Sequence, residues 1–139
     1  MERFAALSML ESGDNDRATG ASGEVTRYQI LPDTFRLYLS ARKGGIYDSD
    51  HMRRVVARGT VATNETKVGW RALASRQSIA LAIAQAIMRD RIRHFVSVRH
   101  HWPSNFDWYL LWNCPGDVNH PSRKEQDRAQ RFTNLCSRP

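Results

Sequence analysis

"ALSMLESGDNDRATGASGEVTRYQILPDTF", residues 6–35, is the stretch on which the reading of this chain turns. Its first five residues belong to an apolar helical run that starts near the first methionine and ends at one acid, Glu11. A polar, glycine-rich segment follows, and it stops at an aromatic, a glutamine and a proline, Tyr28, Gln29 and Pro32. In a helix, positions 4, 7 and 11 share one stripe, so the Glu11 carboxylate lies in line with Phe4 and Leu7 at the carboxyl end. The stop is "SGD", with Gly13 suited to a left-handed cap. The negative end of the helix dipole and partial burial both disfavour an anion there. An acid that keeps its proton is what glycosidic cleavage needs in order to protonate a leaving oxygen. Taken alone, Glu11 reads more simply as a solvated glutamate at a frayed helix end.

Outward from this stretch, apolar residues recur at helical spacing and glycines and prolines cluster between segments. The expectation is a mainly α, single globular domain over 1–139: several short helices around a central one, with irregular loops and little or no sheet. A second helix should run from about Pro32 to Ser40, proline suiting its first turn, with "RKGG" at 42–45 breaking it. The pattern predicts another helix entered through "DSD" at 48–50, and a long one from about Leu73 to Phe95. "HHWPSN" at 100–105 interrupts before "FDWYLLWN". The last helix opens in "PSRKEQDRAQRFTNL", where Ser122 and Gln126 flank the first turn and Ala129, Phe132 and Leu135 form the buried stripe.

Composition narrows the function classes. A chain of 139 residues with 41% hydrophobic and 25% charged content can bury one core and is neither a repeat array nor a disordered tail. Twenty-one basic residues, all but three of them Arg, against fourteen acidic ones give +7. Nucleic acid, an anionic wall polymer or a membrane surface would each suit that charge. The basic residues are scattered apart from "MRDRIRHFVSVRHH" at 88–101, and no nucleic-acid motif is present, so a solvated basic surface is the simpler reading. "IALAIAQAIM" at 79–88 is about half of a membrane span. The opening residues do not read as a signal peptide, and a start inside a helix hints at a leader upstream. Cys114 and Cys136 make no disulfide framework or metal knuckle; one bridge in an oxidising compartment and two small buried thiols are both open. His94, His100, His101 and His120 share no metal-ligand spacing with an acid or cysteine, so no metal or cofactor is expected. "NET" at 64–66 fits a glycosylation sequon, which means little in a bacterial chain.

Beginning at Glu11, "ESG" and "GEVTRYQILPDT" resemble the signature of the lytic transglycosylases and goose-type lysozymes, in which a Glu-Ser pair is joined by a polar loop to "GAxGLMQxMPxT". Gly23, Gln29, Pro32 and Thr34 stand at that spacing from Glu11; Thr26, Arg27 and Tyr28 stand where the family carries Gly-Leu-Met. "WYLLWNCPGDV" resembles the family's "AYNAG" segment, with Trp112 for Tyr, Asn113 matched, and Cys114-Pro115 for Ala-Gly. The resemblance implies a lysozyme-like fold and an enzyme that cleaves the β-1,4 bond between N-acetylmuramic acid and N-acetylglucosamine. It implies Glu11 as general acid and base, and Ser12, Tyr28, Gln29, Trp112 and Asn113 as substrate contacts. The partner would be peptidoglycan glycan strands, with no nucleic acid and no membrane span, acting as a monomer in the periplasm or at the wall.

A glycosidase normally needs two acids. Goose-type lysozymes carry an Asp two positions after the glutamine, where this chain has Leu31. Lytic transglycosylases manage with one, because the muramic acid's own 6-hydroxyl attacks the anomeric carbon. The lyase therefore ranks above the hydrolase, with Glu24 the best candidate for a second carboxylate and Asp14 and Asp16 behind it. A hydrolytic muramidase, a non-catalytic wall-binding relative and a basic nucleic-acid binder remain as alternatives.

Overall fold

A computed structural model describes residues 1–39 and 70–139. The helix expected after 48–50, the "RKGG" break and the "NET" sequon lie outside these residues. Among the described residues the chain is mainly helical, and its one strand-like feature is an isolated antiparallel bridge between Val25 and Ile30. No described helix is long and apolar enough to cross a membrane. The helices are α1 (Arg3–Ser12), α2 (Pro32–Leu39), α3 (Trp70–Ala74), α4 (Gln77–Arg99), α5 (Asn105–Asn113) and α6 (Arg123–Cys136).

The chain divides into two compact units, Met1–Leu10 with Met88–Pro139, and Glu11–Ile87. In the first, α1 opens on Glu2, whose carboxylate accepts the Phe4 and Ala5 N–H groups at 2.9 and 3.0 Å and so satisfies two orphan donors of the first turn. Helix α5 carries five consecutive buried residues, Trp108 to Trp112, as a helix covered on all sides must. Phe132 of α6 stacks on Trp108 at 5.2 Å with the rings 3° from parallel, and tilts against Tyr109 at 5.3 Å. Phe4 meets Trp108 edge-on at 5.2 Å. Helix α6 starts with a capping box: Ser122 Oγ accepts the Glu125 N–H, and the Glu125 carboxylate accepts the Ser122 N–H. Ser122 and Gln126 flank the first turn as expected, the Gln126 N–H donating to the Ser122 carbonyl at 2.9 Å, while the third helical residue, Glu125, reaches back to the cap. The Gln126 side chain donates to the Pro121 carbonyl. Ala129 and Phe132 are fully buried and Leu135 half-buried.

In the second unit, Pro32 opens α2 as expected, and Phe35 packs on Trp70 at 5.9 Å while the Arg36 and Arg71 guanidiniums lie over the same indole. The long helix expected from Leu73 to Phe95 is two helices. Ser75 Oγ turns back to the Ala72 carbonyl at 2.8 Å and the Arg76 N–H takes the Leu73 carbonyl, so the hydrogen-bond ladder tightens and closes before α4 begins. Within α4, Ile79, Ala80, Ala82, Ile83, Ala84, Ala86 and Ile87 are all buried, a helix covered nearly all round. Its carboxyl end runs past Phe95 to Arg99.

The Phe132 stack fixes a stability prediction. Phe132→Ala should cost about 3–5 kcal/mol in denaturant unfolding, by lost burial plus the cavity left between two rings, whereas Ser122→Ala should cost only about 1 kcal/mol.

Candidate active site

Glu11 and Ser12 form the end of α1, both half-buried. Gly13 and Asp14 then take φ of 62° and 65°, turning the chain out of the helix, and the glycine does so without steric cost. The Ser12 hydroxyl acts on the loop. It donates to the Arg27 carbonyl at 2.7 Å and accepts the Asn15 N–H at 3.1 Å, joining the helix end to a turn fifteen residues on. Asp16 reinforces the junction with a two-pronged bond to the Arg27 guanidinium at 2.7 and 3.1 Å. That hydrogen bond raises the Arg27 pKa further, against the opposing effect of burial. Asp16 is therefore committed to a structural ion pair.

Residues 25–30 make the turn. Val25 and Ile30 exchange both backbone bonds at 2.8 and 2.7 Å. Between them Thr26 has φ 71° and Gln29 φ 55°. A β-branched side chain is disfavoured in that region, and Thr26 is over-determined by its surroundings. It is 1% exposed, its Oγ1 accepts the Tyr28 N–H at 3.0 Å, and its carbonyl takes both the Gln29 N–H and Gln29 Nε2. Gln29 Nε2 also reaches the Ala18 carbonyl at 3.3 Å, so the amide's donors serve the loop. Gly20 is the close-approach point. A Cβ there would stand 2.7 Å from Gln29 Oε1 and 1.6 Å from Glu24 Oε2. Glu24 is folded onto this spot, accepting the Ser22 N–H at 3.3 Å, rather than directed away from the loop. Tyr28 is 4% exposed and packs in the core of its unit. Leu31 is half-exposed.

Trp112 and Asn113 belong to the other unit, at the end of α5. The Trp112 ring is buried, so its visible role is packing, while Asn113 is exposed. The last carbonyls of α5 are held by α4: Arg91 Nη1 donates to the Leu111 and Trp112 carbonyls at 2.9 and 2.7 Å, a cation on the negative end of a helix. Cys114 caps α5, its thiol pushed up to about 12 by burial first and then by Glu125. The Ser122 backbone bond holds the Glu125 carboxyl below its ordinary range, and a hydrogen bond donated to Glu125 raises Asp117. Burial likewise pushes Cys136 up, and both cysteines are free thiols. Among the described residues no three His, Cys, Asp or Glu side chains converge as metal ligands would.

Sequence reasoning missed the Asp16–Arg27 pair, the Arg91 clamp and the backbone at Thr26. Only the capping box, S-x-x-E at 122–125, was there to be read. Compared with known proteins, the chain matches no family model, no curated protein and no solved structure.

Three outcomes follow from this geometry. Thr26→Gly should stay within about 1 kcal/mol of wild type, because relief of left-handed strain worth about 1–3 kcal/mol offsets the lost hydroxyl and methyl. Thr26→Val keeps the strain, removes the acceptor for a buried N–H, and should cost about 2 kcal/mol in the same unfolding experiment. If the two variants were equally destabilised, backbone strain at Thr26 would play no part. For Cys114, the unfolded chain gives up its thiol proton from the ordinary 9.0 while the folded chain holds it to about 12. Its contribution to stability is therefore complete below pH 9 and falls across that window. At pH 8 iodoacetamide should label the unfolded protein far faster than the folded one.

Proposed function

We propose that the chain is a peptidoglycan lytic transglycosylase of lysozyme-like fold, with Glu11 as its acid and base. The carrying observation is the backbone at two positions. The transglycosylase signature has glycine where this chain has Gly23 and Thr26, and here those residues have φ of 82° and 71°. Left-handed backbone explains why glycine suits both places, so Thr26 departs from the signature in residue type while its backbone takes the conformation that glycine favours. The position of Glu11 in the last turn of α1, tied through Ser12 to that same turn, supports the reading further.

In this mechanism Glu11 gives its proton to the glycosidic oxygen as the bond from muramic acid C1 to that oxygen breaks. The 6-hydroxyl oxygen of the same sugar then bonds to C1 and passes its proton to the Glu11 carboxylate. The acid is restored, no water is consumed, and the product carries a 1,6-anhydro ring. One carboxylate suffices. The surroundings favour that route over hydrolysis: Asp16 is paired with Arg27, Glu24 is folded onto Gly20, and Leu31 occupies the place of a second acid. Ser12 and Gln29 act by shaping the loop. A wall-binding relative without turnover is the second reading, favoured by the burial of Tyr28 and Trp112, which withholds two flat faces from the substrate.

Digestion of purified peptidoglycan, with soluble products weighed by mass spectrometry, tests the proposal. Muropeptides with 1,6-anhydro ends are expected, and Glu11→Gln should lower their yield at least about a hundredfold. Products heavier by one water would replace the lyase with a hydrolase. No product from folded protein would leave the binding reading.

A further inference from the structure

Tryptophan is seldom left in water, yet Trp102 is 76% exposed, and Val98, one turn earlier, is 58% exposed. The loop that carries Trp102 is firmly built. His100 ends α4 in the left-handed conformation, φ 61°, with its N–H on the Val96 carbonyl at 2.8 Å, a single-bond helix cap. His101 stands edge-on to the buried Phe95 ring at 5.4 Å, and Arg99 lies over the same ring. Past the tryptophan, Pro103 is buried, and the Arg3 guanidinium clamps the Pro103 carbonyl at 3.1 Å and Asn105 Oδ1 at 2.8 Å. Ser104 Oγ then caps α5 by accepting the Asp107 N–H. A large aromatic ring held outward by a rigid frame loses little entropy on binding, which is the property of an anchor.

Its surroundings define the partner. From 93 to 104 the sequence holds Arg93, His94, Arg99, His100 and His101 and no acid. Apart from Val98 and Trp102 no large apolar side chain there is exposed. An interfacial helix would present a continuous apolar face to lipid, and this one does not. A single flat ring among cations suits a polymer of rings that carries carboxylates: the indole takes the apolar face of a sugar and the guanidiniums take the acids.

Resting on the transglycosylase reading, we propose that Trp102, with Val98 and the neighbouring Arg99, forms a second binding surface for anionic wall glycan, in a different unit of the chain from Glu11. It retains the enzyme on an insoluble substrate between cleavages, since a second contact raises the effective concentration of the first.

Cosedimentation of the Glu11→Gln protein with purified sacculi tests this without turnover. In that background Trp102→Ala should weaken binding roughly tenfold, the scale of aromatic stacking in polymer grooves, and Trp102→Phe should recover most of it. Arg99→Gln should weaken binding about threefold and flatten its dependence on salt. Circular dichroism of each variant, all altered at exposed or half-exposed positions, should match the parent. Unchanged affinity of folded Trp102→Ala overturns the proposal. So does Trp102-dependent binding to phosphatidylglycerol vesicles or single-stranded DNA with none to sacculi. Trp102-dependent binding to sacculi from a protein that yields no anhydro product would keep this surface and remove the catalytic reading. Anhydro product with Trp102→Ala bound as tightly as its parent would do the reverse.

Discussion

A single hydroxyl joins the end of α1 to the polar loop that carries Gly20, Thr26 and Gln29. By donating to the Arg27 carbonyl and accepting the Asn15 N–H, Ser12 fixes where the polar loop leaves the helix and where it returns. With the loop anchored at both points, Asp16 can close on Arg27, Gln29 can fold its amide back on Thr26, and Glu24 can settle on the bare Cα of Gly20. Each contact is modest by itself. Together they leave the loop few alternative conformations, which is how a small domain positions an acid without a sheet to build on.

Legibility in the sequence followed the range of the interactions. Short-range features could be read. Apolar periodicity, Pro32 at a helix start, Gly13 at a helix stop and the Ala129–Phe132 stripe all depend on neighbours within a turn or two. The split between α3 and α4 was not foreseen, because it rests on a serine hydroxyl competing for a backbone carbonyl, and serine is compatible with helix and break alike. Arg91 looks like any other surface arginine in a basic run, yet it neutralises the end of a helix twenty residues away in the chain. Nothing local records such a contact.

The candidate site divides in the same manner. Glu11 could be singled out as a candidate because helix geometry and spacing to Gly23, Gln29 and Pro32 are properties of the string itself. The duties of its neighbours were not, since burial decides whether an aromatic offers a face or fills a core. Tyr28 and Trp112 fill cores. Trp102, unremarked among two histidines and a proline, is the ring that meets water.

The four indoles of this protein stand in four different surroundings, which gives the molecule a built-in optical gauge. Trp108 is sandwiched against Phe132, Trp112 is buried at a helix end, and Trp70 lies under two guanidiniums. Water relaxes freely around Trp102 alone among the described ones. The long-wavelength edge of the emission therefore belongs to one residue, and a dissolved quencher such as iodide strips that edge first. Whatever settles on that corner of the surface will announce itself in the protein's own light, with no label attached.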